Sequence, residues 1–358
     1  MSEEKLQLEI QKRKDQNLFR ELKINKEIID FCSNDYLGFS RKEWELKNLN
    51  HGASGSRLIR GHSILFSETE EFIAKFHNTE DSLIFNSGYD ANLGFFSTIP
   101  QKGDTIIYDE LCHASIRDGL QLGKARNFSF NHNSTEDLER KMKIASGDVF
   151  VVVESIYSMD GDASPLKEIS ELCKKYKAKL VVDEAHSTGV FGENGEGLSQ
   201  YLDIETYARI HTFGKALGAH GAAVVCSSIT KNYLINFCRS FIYTTALPPY
   251  TISIILKSYQ NLKDNTEREK LKKNISLFKK QIENNNLIKS NSAIQSIIIG
   301  GNKKTKEIAT QLQKSDFDIR PILSPTVPKG SERIRICLHS FNTEQEISLL
   351  CKKLNQIL

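Results

Sequence analysis

The sequence predicts an α/β fold with a mostly parallel sheet in a large domain, followed by a smaller C-terminal α+β domain. Short apolar segments alternate with helical stretches between residues 105 and 226, and some, such as Val149–Val153, are apolar throughout. Strands of that kind are buried on both faces, as in a parallel sheet covered by helices. After Pro248 and Pro249 the composition becomes lysine-rich. We therefore predict an N-terminal segment at residues 1–38, the large domain at 39–255 and the small domain at 256–358.

Hydrophobic spacing predicts the individual elements. Apolar residues among basic ones indicate an N-terminal helix over residues 6–22, a short strand follows at Ile29, and Ser67–Phe76 has a helical apolar face. The central strands are predicted at Thr105–Tyr108, Asp148–Glu154, Leu180–Asp183, Arg209–Phe213 and Ala222–Cys226. Residues 250–286 predict one long helix, and residues 292–358 predict a strand, a helix, further strands and a final helix.

Charge and cysteine content narrow the classes of function. The 358 residues carry a formal net charge of only +3, so binding to nucleic acid or a membrane has no electrostatic support. Seven cysteines without a CxxC pair argue against a disulfide framework and a zinc site, and favour a reducing, cytoplasmic compartment. The histidines lack HxxxH or HxH spacing, so we expect no metal. The charged N-terminus has no apolar core of the kind that signal peptides carry.

The stretch His211–Gly221 places Lys215 among glycines and alanines, directly after a segment with β character. Small residues let another molecule approach the backbone closely. An amine in such a crowded, partly dry pocket loses its charge readily and becomes a nucleophile. It then forms a Schiff base with a carbonyl, including the aldehyde of pyridoxal phosphate (PLP). A loop lysine in a tight turn is the alternative, and this stretch alone favours neither.

Polar residues follow the predicted strands, where parallel sheets bind ligands. Asp183 ends an apolar strand, and a buried carboxylate there needs a cation or a strong donor as its partner. A protonated pyridine nitrogen is one such partner, and a structural salt bridge is another. The flat rings of His113 and His186 could stack on a cofactor, although a single histidine is more often structural. Ser158 could equally be a turn serine.

A phosphate site is predicted near residues 82–92, where an apolar strand ends at a small-residue turn and a helix begins. Backbone N–H groups and the helix dipole favour an anion at that position, although an ordinary turn explains the stretch as well. The glycine-rich stretch His51–Gly61 lacks GxGxxG spacing and is weak evidence for a dinucleotide site.

Seven motifs occur together and in a fixed order along almost the whole chain: Ser33–Gly38, Ser87–Asn92, His113–Ser115, Ser158–Asp162, Asp183–Gly189, Thr212–Lys215 and Pro325–Pro328. Their combination resembles the α-oxoamine synthases, which are PLP enzymes of the aspartate-aminotransferase fold (fold type I). The resemblance implies that residues 39–255 form the PLP-binding domain. Departures from the family pattern are a longer loop at Pro321–Pro325 and the residues Arg60 and His62.

The resemblance also implies roles for individual residues around the cofactor. Lys215 would hold PLP as a Schiff base and later move the substrate Cα proton, and Asp183 would pair with the pyridine nitrogen. His113 would stack on the ring, while Ser158 and His186 would reach its phenolic oxygen. The phosphate would be held by the following residues: Gly88, Tyr89, Thr212, and Thr244 or Thr245 of a second subunit.

The same resemblance implies a substrate side and a reaction. Asn34 and Arg335 are expected near the amino-acid carboxylate, and Arg20 and Thr326 at the acyl site. The expected reaction is the biotin-synthesis condensation of L-alanine with a pimeloyl thioester of coenzyme A or acyl carrier protein, in a homodimer with shared sites. The alternatives are another α-oxoamine synthase, namely a glycine C-acetyltransferase or a serine palmitoyltransferase, and a catalytically silent partner subunit.

Overall fold

A computed structural model describes residues 2–22, 24, 28–46 and 49–358. The chain divides into two compact units. The larger unit comprises Asn34–Ser158 and Asp162–Leu271, and the smaller comprises Met1–Ser33, Met159–Gly161 and Lys272–Leu358. Positions 1, 23 and 25–27 of the predicted N-terminal segment lie outside the described residues. The predicted domain boundaries at residues 38 and 255 stay a prediction.

The strands of the described residues are β1 (Ile29–Asp30), β2 (Asp81–Phe85), β3 (Thr105–Asp109), β4 (Arg126–Phe130), β5 (Val149–Glu154), β6 (Lys179–Asp183), β7 (Ala208–Thr212), β8 (Ala222–Cys226), β9 (Ile294–Ile298), β10 (Phe317–Asp318), β11 (Arg320–Ile322) and β12 (Arg333–Cys337). The α-helices are α1 (Glu3–Asp15), α2 (Ile64–Phe76), α3 (Gly88–Thr98), α4 (Ala114–Leu122), α5 (Thr135–Met142), α6 (Leu166–Tyr176), α7 (Leu198–Tyr201), α8 (Ser228–Phe237), α9 (Arg239–Ile242), α10 (Pro249–Asn261), α11 (Thr266–Gln281), α12 (Asn302–Gln313) and α13 (Glu344–Ile357).

The larger unit is built on a seven-stranded sheet in the order β2-β8-β7-β6-β5-β3-β4. Strands β7, β6, β5, β3 and β4 are parallel to one another, whereas β8 is antiparallel to both of its neighbours. The connection from β7 to β8 is a short loop, Phe213–Gly221, and a parallel return needs a crossover of a dozen or more residues. The predicted α/β class with a mostly parallel sheet is therefore confirmed.

Both faces of this sheet are buried, as the unbroken apolar strands predict. On β5, Val152 packs into one apolar cluster and Val151 and Val153 pack into another. On β6, Val181 joins the first cluster and Val182 the second. Successive strand side chains point to opposite faces. A sheet with apolar layers on both faces leaves its strand ends as the place for polar groups.

Three elements differ from the prediction. Helix α1 ends at Asp15 because Asn17 adopts a left-handed conformation with φ 56°, and none of its residues is buried. The predicted helix over 250–286 is interrupted between α10 and α11, where the Asp264 carboxylate accepts hydrogen bonds from the backbone and hydroxyl of Thr266. Strand β4 was not predicted, because it is an edge strand and only Phe130 of its residues is buried.

The smaller unit contains two short sheets. Strands β11, β12 and β9 form an antiparallel sheet in that order, and β1 pairs in parallel with β10. A capping box begins α13, in which Thr343 and Glu346 satisfy each other's backbone N–H groups. Among the residues that the structure describes, no helix has both the length and the apolar content to cross a bilayer.

A charged cluster within the larger unit joins β3 to the loop after β5. The ring of His132 lies 2.9 Å from Asp109 through Nδ1 and 2.8 Å from Asp162 through Nε2. Burial opposes protonation, but hydrogen bonds to the two carboxylates outweigh it and raise the pKa of His132 to about 9. The ring is therefore a cation at neutral pH, and it links two acidic residues from separate segments.

We expect His132→Gln to lower the free energy of unfolding by about 2–3 kcal/mol at pH 7, because each unit of pKa shift is worth about 1.4 kcal/mol. A raised histidine pKa stabilises the folded state fully below pH ~6.5 and stops doing so as the pH rises through about 9. Urea unfolding between pH 6 and 10 measures the difference. The exposed His51 supplies the control variant His51→Gln, and equal stability of His132→Gln and wild type at pH 7 would contradict the ion-pair assignment.

Candidate active site

A cavity of about 280 Å³ opens at the carboxyl ends of the central strands of the larger unit. This volume is just below the ~300–1,000 Å³ usual for small-molecule sites. The cavity is lined by residues from several loops and strand ends: Asn34, Ser87, Gly88, Tyr89, Asn92, His113, Ser115, Glu154, Asp183, Ala185, His186, Thr212, Gly214, Lys215, His220 and Gly221. It thus unites residues that lie far apart in sequence.

Asp183 ends β6 and is only 4% exposed. Its carboxylate accepts hydrogen bonds from the backbone N–H of Ala185 at 2.9 Å and from the Asn92 side chain at 2.8 Å. A carboxylate has about four acceptor positions, so these two donors leave Asp183 able to accept a further hydrogen bond from the cavity. A cationic N–H donor is the partner that a buried carboxylate favours most.

Glu154 ends the neighbouring strand β5 and stands beside Asp183 in register. Burial raises the pKa of Glu154 to about 8, and the charge of Asp183 acts in the same direction. At neutral pH Glu154 is therefore mostly protonated, since two adjacent buried carboxylates repel each other. Its Oε1 accepts a hydrogen bond from the backbone N–H of His113 at 2.6 Å, which ties β5 to the start of α4.

His113 caps the N-terminus of α4 with its ring, because Nδ1 accepts a hydrogen bond from the backbone N–H of Ser115 at 3.2 Å. Desolvation in the cavity lowers the pKa of His113, while the charge of Asp183 acts in the opposite direction. The ring is consequently neutral at pH 7, with its proton on Nε2. A neutral, flat ring held in this way can lie against a flat ligand.

Lys215 lies in the loop between β7 and β8. Two backbone hydrogen bonds close this loop, from Phe213 to Gly221 at 2.9 Å and from Ala219 to Phe213 at 2.8 Å. The Lys215 amine lies 2.9 Å from Nε2 of His186. The loop therefore presents a primary amine to the cavity that also holds Asp183.

The cavity has one corner where two backbone segments approach very closely. Gly88 begins α3, and a Cβ atom added there would lie 2.5 Å from the methyl carbon Cγ2 of Thr212. Ser87 caps the helix by accepting a hydrogen bond from the backbone N–H of Asp90 at 3.0 Å. The corner therefore combines a helix N-terminus, which favours anions, with the absence of a side chain that would keep an anion away from the backbone.

The structure brings most of the predicted cofactor residues into this cavity: Gly88, Tyr89, His113, Asp183, His186, Thr212 and Lys215. Asn34, which is predicted near the amino-acid carboxylate, also lines it. Ser158, Thr244 and Thr245 belong to the larger unit but do not line the cavity. Asn86 donates hydrogen bonds to the Thr244 hydroxyl and the Thr245 carbonyl. Arg20, Thr326 and Arg335 belong to the smaller unit, where Arg20 and Thr326 are exposed and Arg335 lies on β12.

Several lining residues were not assigned a role from the sequence: Asn92, Ser115, Glu154 and His220. Asn92 and Ser115 stand inside quoted motifs, yet only the fold shows that the Asn92 amide bridges Ser115 and Asp183. Tyr36, also within a motif, lies behind the cavity and contacts His186 through its hydroxyl. The sequence pattern does not show which residues from distant segments lie close together in the fold.

The chain is similar to proteins of known family. Residues 26–354 match the family described as aminotransferase class I and II. An 8-amino-7-oxononanoate synthase of Emericella nidulans is 40% identical, covering 89% of this chain and 86% of that protein. A variant serine palmitoyltransferase from S. paucimobilis, solved with PLP and myriocin, is 28% identical with a TM-score of 0.89, covering 98% of this chain and 96% of that one. The 8-amino-7-oxononanoate synthase of Francisella tularensis is 31% identical with a TM-score of 0.76, covering 93% and 98%.

These relatives indicate PLP as the cofactor, and the cavity has the chemistry that PLP requires. Lys215 supplies an amine for the aldehyde, and Asp183 supplies a buried acceptor for a protonated ring nitrogen. The corner at Gly88 and Thr212 suits the phosphate, because it offers backbone N–H groups and a hydroxyl. Among the described residues, no cluster of histidine, cysteine and carboxylate side chains could hold a metal ion.

We expect Gly88→Ala to weaken PLP binding by about tenfold or more, because overpacking of this kind costs about 1–3 kcal/mol. The double variant Gly88→Ala with Thr212→Ser should recover most of the affinity, since serine keeps the hydroxyl and lacks the obstructing methyl group. Fluorescence titration of the cofactor-free protein with PLP measures both dissociation constants. Unchanged affinity in Gly88→Ala, or no recovery in the double variant, would show that the corner does not hold the phosphate.

Proposed function

The chain belongs to the aminotransferase class I and II family and, within it, to the PLP-dependent α-oxoamine synthases, and on that premise we propose its reaction. It condenses L-alanine with a pimeloyl thioester and gives 8-amino-7-oxononanoate, CO2 and the thiol carrier. The observation that carries the proposal is one cavity holding the Lys215 amine and the Asp183 carboxylate beside an anion-binding corner. The relatives named 8-amino-7-oxononanoate synthase support this choice of substrates.

The two central residues act at opposite ends of the cofactor. PLP supplies an aldehyde that amines capture and a ring that accepts the electron pair released when a bond to Cα breaks. Asp183 would accept a hydrogen bond from the ring nitrogen and keep it protonated, which would strengthen that electron acceptor. Lys215 would hold the cofactor at rest, and its amine would later take the Cα proton of alanine.

Several residues would position the cofactor. In the cavity, the neutral ring of His113 would lie against the cofactor ring, His186 would serve its phenolic oxygen, and the backbone of Gly88 and Tyr89 with the Thr212 hydroxyl would hold the phosphate. Ser158, which does not line the cavity of the single chain, is assigned to the phenolic oxygen by the motif resemblance alone. A second subunit contributes Thr244 or Thr245.

The motif resemblance supplies four further residues for the substrate side. Asn34 and Arg335 bind the amino-acid carboxylate, since an amide and a guanidinium are both strong donors to that group. Arg20 and Thr326 line the acyl site. Their assignment rests on the motif resemblance, whereas that of Asn34 is also supported by its place in the cavity wall.

A second substrate choice has its own support. The serine palmitoyltransferase structure has the higher TM-score, 0.89 against 0.76 for the Francisella tularensis enzyme. Serine with a long-chain acyl thioester is therefore the alternative that has structural support. Glycine with acetyl-CoA is an alternative on the motif resemblance alone. We favour alanine and pimeloyl because the sequence identity is higher to 8-amino-7-oxononanoate synthases, at 40% and 31% against 28%. The intact Lys215 and Asp183 argue against a silent partner subunit.

We further propose that the enzyme is a cytoplasmic homodimer. Large apolar side chains of the larger unit are exposed in the single chain, including Ile59 at 86%, Ile229 at 82% and Phe237 at 59%. Such apolar surface typically marks an interface with another chain. Analytical ultracentrifugation should give twice the chain mass of 40.6 kDa, and a monomer at micromolar concentration would contradict the shared site. Recovery in the cytosolic fraction of cells tests the compartment.

The reaction is tested by incubating the PLP-loaded enzyme with alanine, glycine or serine and with pimeloyl-, acetyl- or palmitoyl-CoA. We expect 8-amino-7-oxononanoate, identified by mass, from the alanine and pimeloyl pair alone. Lys215→Ala should form no product while keeping the circular dichroism of the wild type, because the fold does not depend on the amine. Product from another pair would reassign the substrates. Pimeloyl-acyl carrier protein in a parallel assay identifies the preferred carrier.

A further inference from the structure

Four side chains of the larger unit form a continuous row of hydrogen bonds that starts at Lys215. The Lys215 amine lies 2.9 Å from Nε2 of His186. Nδ1 of the same ring lies 2.7 Å from the Tyr36 hydroxyl, which lies 3.0 Å from Oδ1 of Asn34. Tyr36 does not line the cavity, whereas the other three residues do.

The direction of each hydrogen bond follows from the far end of this row. The Tyr36 hydroxyl has one hydrogen and donates it to Asn34. Towards His186 the hydroxyl oxygen must therefore accept, so Nδ1 of His186 carries the ring proton. In a neutral imidazole the other nitrogen is then an acceptor, and Nε2 of His186 accepts a hydrogen bond from the Lys215 amine.

We propose that Tyr36, oriented by Asn34, is a positioning residue that sets His186 as the base for Lys215. In this step an N–H bond of the Lys215 ammonium breaks and an N–H bond forms at Nε2 of His186. The lysine keeps the electron pair as a neutral amine, and the positive charge moves to the imidazole ring. The inference rests on the proposed role of Lys215 as the residue that captures PLP, because only a neutral amine attacks an aldehyde.

Burial makes the contact between Tyr36 and His186 persistent. Tyr36 is 1% exposed and His186 is 6% exposed, so water competes little for their hydrogen bond, which is stronger in a medium of low dielectric constant. Once His186 is protonated, its Nδ1–H still donates to the Tyr36 oxygen. The row thus stabilises the imidazolium at the moment when Lys215 loses its proton.

Other titratable groups face the same cavity and contribute to its pH dependence: Tyr89, His113, Glu154, Asp183 and His220. A pH profile of the wild type alone therefore does not separate the contribution of the Lys215–His186–Tyr36–Asn34 row from the contributions of these groups. Two variants that keep all these groups can be compared instead, one inside the row and one outside it. If both lose the same kind of hydrogen bond, the difference between their pH profiles is the contribution of the row.

The chain offers a matched control for such a comparison. The hydroxyl of Tyr259 lies 3.0 Å from Nε2 of His77, and both residues are fully buried in the larger unit. Neither residue lines the cavity. Tyr259→Phe therefore removes a buried tyrosine–histidine hydrogen bond of similar length without touching the row, and it reports the cost of losing a hydroxyl from the core.

The test measures how fast the cofactor-free protein captures PLP, by stopped-flow absorbance of the visible imine band, from pH 6 to pH 10. No amino acid or thioester is present. We expect Tyr36→Phe to shift the pH profile to higher pH and to slow capture about tenfold at pH 7, the effect of one ordinary hydrogen bond. Tyr259→Phe should retain the wild-type profile. If Tyr36→Phe is poorly folded by circular dichroism, Asn34→Ala, which removes the acceptor of the Tyr36 hydroxyl, should shift the profile in the same direction.

Identical pH profiles for Tyr36→Phe and Tyr259→Phe would overturn this inference and leave the proposed reaction standing. Failure of the proposed reaction would give a different result. A wild type that captures PLP with the expected dependence on Tyr36, but makes no product from alanine and pimeloyl-CoA, would refute the proposed reaction and leave the row intact.

Discussion

The short loop between β7 and β8 is the constraint on which the site depends. Because this loop is too short for a crossover, β8 runs antiparallel to β7, and β2 in turn runs antiparallel to β8. Ala222 is consequently opposite both Thr212 and Phe85. The end of β2 and the start of α3 are thereby brought beside Thr212, while the loop itself carries Lys215. One chain reversal thus places the Lys215 amine and the corner between Gly88 and Thr212 in a single cavity.

Parallel pairing supplies the acidic side of the same cavity. Strands β5 and β6 end level with each other, so Glu154 and Asp183 are neighbours in a dry environment. Two charges there would repel strongly, and burial keeps the Glu154 pKa at about 8. Hydrogen bonds from Ala185 and Asn92 stabilise the Asp183 carboxylate. The strand register therefore brings the two carboxyls together, and burial with the neighbouring charge of Asp183 raises the pKa of Glu154.

The histidines show how strongly the tertiary surroundings change the pKa of one residue type. Two carboxylates make His132 a cation, with a pKa of about 9. His77 and His211 stack with ring centres 3.7 Å apart in the core, and burial holds the pKa of each well below the ordinary value. His186 lies between the Tyr36 hydroxyl and the Lys215 amine, at 2.7 Å and 2.9 Å from its two ring nitrogens. The surroundings therefore decide the outcome: hydrogen bonds to two carboxylates raise the pKa of His132, whereas burial lowers the pKa of His77 and His211.

The sequence by itself determined the α/β class and the central strands, because apolar runs are local properties of the chain. It also singled out Lys215 and Asp183, since each stands in a recognisable motif that directly follows an apolar segment. It did not reveal strand β4, whose exposed edge position leaves no apolar pattern, or the break at Asp264, where a side chain competes with the helix. Only the tertiary structure decided the antiparallel β8, the protonation of Glu154 and the link from Tyr36 to Lys215. These depend on distances between residues remote in sequence, which periodicity and composition do not encode.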